Sequence, residues 1–572
     1  MTVATDQELL ELAADRPEPV LTVLKRAAAF KPLIFVLALI PGLLVIQQDE
    51  LTRYDSQFIL QSLESWEHPF AASFSLSHWM TGLTLHLTEL PISWRYLLST
   101  YFFGVILVLA VFMLTQTMLN SRCGLLSAIL LLMHPQYIEQ LTHQVMPMCG
   151  LALTIISLWC YQRHLLQSAL FSPYLLTGAV TAGLNMFLAP PFTYLLIAWL
   201  MLDIIFMGVL RYVVTPPRHT RGPKEIGMGH SLRFRLISLA GLGVVVFACG
   251  MFVFSLKWLR EDNMVLLVPK ISPVAWEQQR LFFSFLDSTS FLLGFIVIGL
   301  LTCLKSFRSP GRLASSHRFW VVGFLLSGLV WISATQTHEE LPDLVAGWKL
   351  LFTITMLVFV AIAIDRILER QVSIMDVVLA YGVALFIAVW YTSRSIEAVD
   401  IWMQLGVTLL LGLVLWRIWK RTVGHELRAS WFLQAGILFL LLMCLANGII
   451  SRHNDGFFAE NVAEFEAGIE ESLARADRFI VISEQDLQPT FTAVLKLQWM
   501  HRPLEHCRNW NEALNLLKSA DQSDPPQALI VNTDSLIAPD LASSLPGWRL
   551  QPLGSEYYIQ HYTLSCFVAR HQ

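Results

Sequence analysis

The sequence predicts a polytopic α-helical membrane protein of about 13 spans, with a small α/β domain at its C-terminal end. Three observations carry that prediction. Of the 572 residues 55% are apolar and only 14% charged, where a soluble domain carries near a quarter. Membrane-length apolar runs recur from residue 32 to residue 449, too long and too frequent for a soluble core. Beyond about residue 452 the pattern changes to short strands alternating with amphipathic helices.

Candidate spans fall at 32–47, 97–118, 122–134, 145–161, 172–189, 191–210, 236–256, 286–303, 319–335, 348–364, 372–391, 401–417 and 430–449. Met133-His134-Pro135 separates the third from the fourth, and Ala189-Pro190-Pro191 breaks what would otherwise read as one long helix. Lys25, Arg26 and Lys31 precede the first span, and the loops after the even-numbered spans are basic, the longest carrying Arg211, Arg218, Arg221, Lys224, Arg233 and Arg235. The alternate loops are poor in Lys and Arg. This is the positive-inside pattern, and thirteen spans then place the C-terminal domain outside the cytoplasm. The first apolar run starts beyond residue 30 and lacks a small-residue cleavage pattern, so it reads as an anchor rather than a removable signal.

The resulting domains are a cytoplasmic tail (1–31), a multi-span membrane domain (32–450) and an extracytoplasmic α/β domain (451–572). The first outside loop, 48–95, predicts two helices in the interface plane, at 51–66 and 75–90, separated by His68-Pro69. In the C-terminal domain the pattern predicts a helix over 457–476, a strand over 478–483, a helix over 510–519, a strand over 528–532 and a terminal hairpin or strand pair within 551–570. No glycine-rich phosphate loop opens a helix there. Net charge is −4, so nothing provides the basic face that a nucleic-acid partner requires. Of eight cysteines only Cys507 and Cys566 fall in this domain; they either pair or remain two free thiols.

The polar residues able to do chemistry gather in the outside loops. Asp49, Glu50, Arg53, Asp55, His68, His78, His86 and Arg95 lie in the first, and His134, Glu139 and His143 in or beside the second. A carboxylate can deprotonate a hydroxyl, and a basic group can neutralise a leaving phosphate. Asp49, Glu50, Glu139 and Asp55 are therefore the catalytic candidates. Arg53, Arg95, Lys257, Arg260 and Lys270 are the candidate partners for a lipid phosphate. Asp49-Glu50 could also hold a divalent cation through oxygen ligands, although acid-base or phosphate-contact roles need none.

A first span ending in Asp-Glu, interfacial helices in the first outside loop, an acid in the second, a long multi-span body and a soluble tail resemble the GT-C superfamily. More narrowly, the layout is similar to the bacterial branch related to protein O-mannosyltransferases and to the aminoarabinose transferases that modify lipid A. The resemblance covers the whole chain in layout and is specific over about residues 45–100. It puts the family's first-loop acid at Asp49, with Glu50 beside it, and its second-loop acid at Glu139. The family's His-Pro-Pro-Leu-like stretch falls at His68-Pro69-Phe70, which lacks the second proline. The resemblance implies a polyisoprenyl-phosphate sugar as donor and an inverting hexosyl or pentosyl transfer. The acceptor, whether lipid, protein or cell-envelope polymer, has no motif in the sequence. Two other classes are compatible with the layout: a non-catalytic scaffold or sensor binding a partner through its C-terminal domain, and a lipid or solute transporter. An internal repeat would favour the transporter, and none is visible between the halves of the chain.

Overall fold

The computed structural model describes residues 76–86, 92–141, 145–167, 171–214, 232–258, 292–307, 312–334, 342–369, 372–392, 478–483, 504–518, 527–533, 548–553, 557–559 and 562–571, with single positions at 35, 37–39, 60, 62, 63, 406, 469, 472, 475 and 476. The chain forms two compact units. One comprises Met1–Leu44, Thr100–Leu141 and Val145–Ser451, the other Val45–Ser99, Thr142–Gln144 and Arg452–Gln572.

The helices are α1 (Leu76–Leu85), α2 (Ile92–Met118), α3 (Ser121–Met133), α4 (Pro135–Gln140), α5 (Val145–Gln167), α6 (Pro173–Leu188), α7 (Pro190–Val214), α8 (Leu232–Trp258), α9 (Leu293–Ser306), α10 (Arg312–Ala334), α11 (Pro342–Leu368) and α12 (Ile374–Thr392). The predicted spans from 97–118 to 372–391 coincide with α2, α3 and α5 to α12. Among the described residues, four stretches are long and apolar enough to cross a membrane by length and composition: Leu98–Met118, Pro190–Gly208, Leu232–Phe252 and Gly347–Ile367. Within the predicted helix at 75–90 lies α1; of the one predicted at 51–66, only positions 60, 62 and 63 are among the described residues, and these are helical.

Local chemistry explains the boundaries. Asn120 caps α3 by accepting from the Cys123 N–H at 2.7 Å, and Ser172 caps α6 by accepting from Leu175 N–H at 3.2 Å. Prolines open α4, α6, α7 and α11, where a missing N–H leaves no intrahelical bond unmade. Ala189 is the single residue between α6 and α7, so the Pro190-Pro191 break is a helix boundary as the sequence predicts.

Helix α11 is the axis of the first unit: 89% of its apolar window is buried, and it packs against α3, α4, α5, α9 and α10. It passes close to α9 at Gly299, where an added Cβ would collide with the Phe359 carbonyl group. Gly323 of α10 similarly leaves room for the Trp199 indole of α7.

One pole of this unit is locked by charge. Asp203 of α7 accepts from Arg235 of α8 at 2.8 Å and from Arg318 of α10 at 3.1 Å. Asp365 near the end of α11 accepts from Arg122 at the start of α3 at 2.7 Å and from Asn120 at 2.8 Å, and Arg122 also pairs with Glu369. Lys305 at the end of α9 pairs with Asp376 at the start of α12. His164 near the end of α5 bridges Ser172 at 2.8 Å and Ser238 of α8 at 2.9 Å. The joined ends are those that the basic-loop pattern assigns to the cytoplasmic side.

In the second unit, β1 (Arg478–Ile482), β2 (Leu504–Cys507), α13 (Trp510–Lys518), β3 (Gln527–Thr533), β4 (Trp548–Pro552), β5 (Tyr557–Ile559) and β6 (Tyr562–His571) build one sheet of order β2-β1-β3-β6-β4, with β5 also on β6. Strands β2, β1 and β3 run parallel, while β4 and β5 pair antiparallel with β6, which in turn pairs antiparallel with β3. Trp510, Ala513, Leu514 and Leu517, spaced as one helix face, pack with Ile480, Ile482 and Ile530. Asn509 caps α13 by accepting from Glu512 N–H at 3.0 Å, and the Glu512 carboxylate accepts from Arg508 N–H at 2.7 Å.

Two readings are refined here. The terminal strand pair is three strands, because the long β6 serves both β4 and β5, and β2 is an additional strand. The cysteines do not pair: Cys507 on β2 and Cys566 on β6 are both free and buried. They are separated by three strand spacings of about 4.8 Å, roughly twice the Cα separation that a disulfide spans.

Candidate functional site

The most unusual local chemistry lies at the pole opposite the ion pairs, where α3 turns into α4. His134 occupies the corner with extended backbone (φ −79°, ψ 130°), imposed by the following Pro135. Its carbonyl accepts from Tyr137 N–H at 3.1 Å and from Ile138 N–H at 3.2 Å, starting α4. Gln136 N–H donates to His134 Nδ1 at 3.2 Å. With Nδ1 accepting, Nε2 carries the ring hydrogen, and that donor is buried with no hydrogen-bond partner among the described residues.

Helix α4 is fixed to the bundle on two sides. Gln136 accepts a hydrogen bond from Thr353 of α11, both residues being buried. Tyr137, wholly buried, packs against α2 where Gly104 has no side chain; a Cβ there would meet the phenol oxygen at 3.1 Å. The Gln140 side-chain oxygen, one turn after Gln136, and the Tyr137 hydroxyl are also buried without a hydrogen-bond partner among the described residues. On α11, half-buried Lys349 stands one turn before Thr353.

The sequence-derived candidates distribute as follows. Asp49, Glu50, Arg53, Asp55, Arg260 and Lys270 lie outside the described residues. Glu139 is on α4, between Ile138 and Gln140. Arg95 is in the first turn of α2, and Lys257 is in the last turn of α8. Because α8 starts at the ion-paired pole, its last turn reaches the pole that carries α4. Among the described residues no three His, Cys, Asp or Glu side chains assemble as a metal-ligand group. Just past α1, His86 Nδ1 lies 2.7 Å from the Gly82 carbonyl oxygen as a local cap.

Sequence reading passed over Gln136, Gln140, Lys349 and Thr353. Two signals were available. One is the pair of glutamines four apart directly after His-Pro; the other is a lysine inside an apolar run that becomes the central helix.

The architecture has counterparts among solved structures. The crystal structure of ArnT from Cupriavidus metallidurans bound to undecaprenyl phosphate matches 94% of this chain and 98% of its own, with a TM-score of 0.51 and 13% identity. The apo structure of the same protein matches 95% of this chain and 98% of its own, with a TM-score of 0.51 and 14% identity. No family model and no curated protein matches the sequence. The likeness is one of fold, and it runs through both the helical body and the C-terminal domain.

Proposed function

We propose that the protein is a multi-pass membrane glycosyltransferase of the GT-C type. It moves a hexosyl or pentosyl group, with inversion, from a polyisoprenyl-phosphate donor to an extracytoplasmic lipid, protein or cell-envelope acceptor. The observation that carries this reading is the full-length fold likeness to a protein crystallised with undecaprenyl phosphate. The reading includes about 13 spans in a bacterial inner membrane, with the C-terminal domain on the outer side.

Asp49 takes the proton from the acceptor hydroxyl as its oxygen attacks the anomeric carbon from the face opposite the phosphate. The bond from that carbon to the phosphate oxygen breaks, and the lipid phosphate leaves with the electron pair. Glu50, Glu139 and Asp55 are the further acids of the site. Arg53, Arg95, Lys257, Arg260 and Lys270 are the cations available to the departing phosphate. A divalent ion at Asp49-Glu50 would add Lewis-acid assistance to the same step.

The test is transfer from a radiolabelled polyprenyl-phosphate sugar to membrane acceptors by purified, lipid-supplied protein. Asp49→Asn abolishes transfer while expression and insertion stay near those of the parent; Glu50→Gln and Glu139→Gln lower turnover more than they lower the amount of folded protein. Full activity in Asp49→Asn would move the base to Asp55.

A further inference from the structure

We propose that Ser315 and Arg318, backed by Arg235, form a site for the phosphate of an anionic phospholipid of the cytoplasmic leaflet, where α7, α8 and α10 meet. The inference needs the membrane placement of the helical unit and is independent of the chemistry at the opposite pole.

The ion-paired clusters of this pole differ in charge balance. Arg122 and Arg366 face Asp365 and Glu369, and Lys305 faces Asp376, so those clusters are neutral. Asp203 faces both Arg235 and Arg318, which leaves this buried cluster one positive charge in surplus among the described residues. A buried charge without a counter-charge is costly, so the surplus calls for an anion.

Ser315 brings that surplus to the surface. Its Oγ accepts from Arg235 Nη2 at 3.3 Å and from Arg318 Nη2 at 3.1 Å. With both lone pairs taken, the hydroxyl hydrogen turns away from the arginines, and it makes no hydrogen bond among the described residues. Ser315 is partly exposed. Arg318 Nη1 also makes no hydrogen bond among the described residues, and it is not sealed from solvent. An O–H and a guanidinium N–H, joined through the bond from Arg318 Nη2 to Ser315, are thus open to a guest.

The surroundings define that guest. Helix α7 exposes Ile205 and Phe206 just past Asp203, and α8 exposes Leu236 and Ile237 just past Arg235. The surplus charge therefore sits at the level of an apolar outer surface, at the pole that the basic-loop pattern assigns to the cytoplasmic side. An amphiphile with one negative phosphate diester above its acyl chains matches both features, and basic recesses between spans on that side suit anionic head groups.

The experiment measures binding of short-chain phosphatidylglycerol, phosphatidylcholine of the same chains and inorganic phosphate to the purified full-length protein in a neutral detergent. The parent binds phosphatidylglycerol about tenfold more tightly than phosphatidylcholine, the scale of one hydrogen bond to a charged group. Ser315→Asp, which supplies the missing negative charge, removes that preference and melts at or above the parent. Ser315→Ala, which removes the donor and keeps the surplus charge, weakens phosphatidylglycerol by less. Equal binding of the two lipids by the parent, or an unchanged preference in Ser315→Asp, would overturn the site. If Ser315→Asp melts below the parent, Ser315→Ala decides, and unchanged phosphatidylglycerol binding there would overturn it too. Inorganic phosphate binding as tightly as phosphatidylglycerol, and lost in Ser315→Asp, would replace the lipid by a free anion and overturn the proposed occupant.

Discussion

Asp203 and Arg235, 32 residues apart on α7 and α8, meet at 2.8 Å in the interior of the helical unit. Arg318 of α10 holds the other carboxylate oxygen at 3.1 Å, so one buried aspartate joins three helices. Removing it leaves two buried guanidinium groups without their counter-charge. Asp203→Ala is expected to destabilise the protein by about 3–5 kcal/mol, the usual result of breaking a buried ion pair from one side. Thermal unfolding in detergent reads this as a large drop in Tm, and an unchanged Tm would show that the arginines have other acceptors.

Gly299→Ala tests the approach of α9 to α11. The added Cβ falls on the Phe359 carbonyl group, and backbone cannot swing aside as a side-chain tip can. A loss of about 1–3 kcal/mol is expected from overpacking. Gly382→Ala is the matched control, because a Cβ there meets nothing within 4 Å and stability stays near that of the parent.

The thiols of the sheet give a pH prediction. Burial, with the nearby Glu512 and Glu505 charges, pushes the Cys507 pKa up to about 11, and burial pushes that of Cys566 up to about 12. A raised folded-state pKa favours the protonated thiol in the fold. The contribution is thus fully present below the ordinary thiol value near 9 and is lost as pH rises through about 11 to 12. Ellman's reagent at about pH 8 leaves both thiols unmodified until the domain is unfolded. Cys566→Val, which cannot ionise, flattens part of the alkaline loss; equal loss in that variant would assign it to other groups.

Ser543→Cys reports topology. A membrane-impermeant maleimide is expected to label it in intact cells or spheroplasts. Labelling only after lysis would shift the span count by one and place residues 451–572 in the cytoplasm.

Much of the helical framework was legible because its boundaries are written in strong local chemistry. Pro190-Pro191 cannot continue a helix, and His134-Pro135 forces an extended residue. The strand at 478–482 was visible as an apolar run, whereas β2 was not, because Leu504-Glu505-His506-Cys507 is short and polar and becomes a strand only by pairing with β1. In the sequence alone, Asp203 and Asp365 are ordinary acids near span ends. Arg318 reaches Asp203 from 115 residues away and Arg122 reaches Asp365 from 243, relationships that periodicity cannot reveal. The same limit hid the bond between Gln136 and Thr353, whose partners stand 217 residues apart.

Among the described residues, the ion pairs of the helical unit lie at one of its poles. Bonds to ionised partners are about twice as strong as neutral ones. They gather where α3, α7, α8, α9, α10, α11 and α12 meet at one end, whereas α4 at the other end is held to α11 by a neutral bond between an amide and a hydroxyl. Loss of the single Asp203 carboxylate therefore loosens three helices together, whereas loss of the Gln136–Thr353 bond touches α4 and α11 alone.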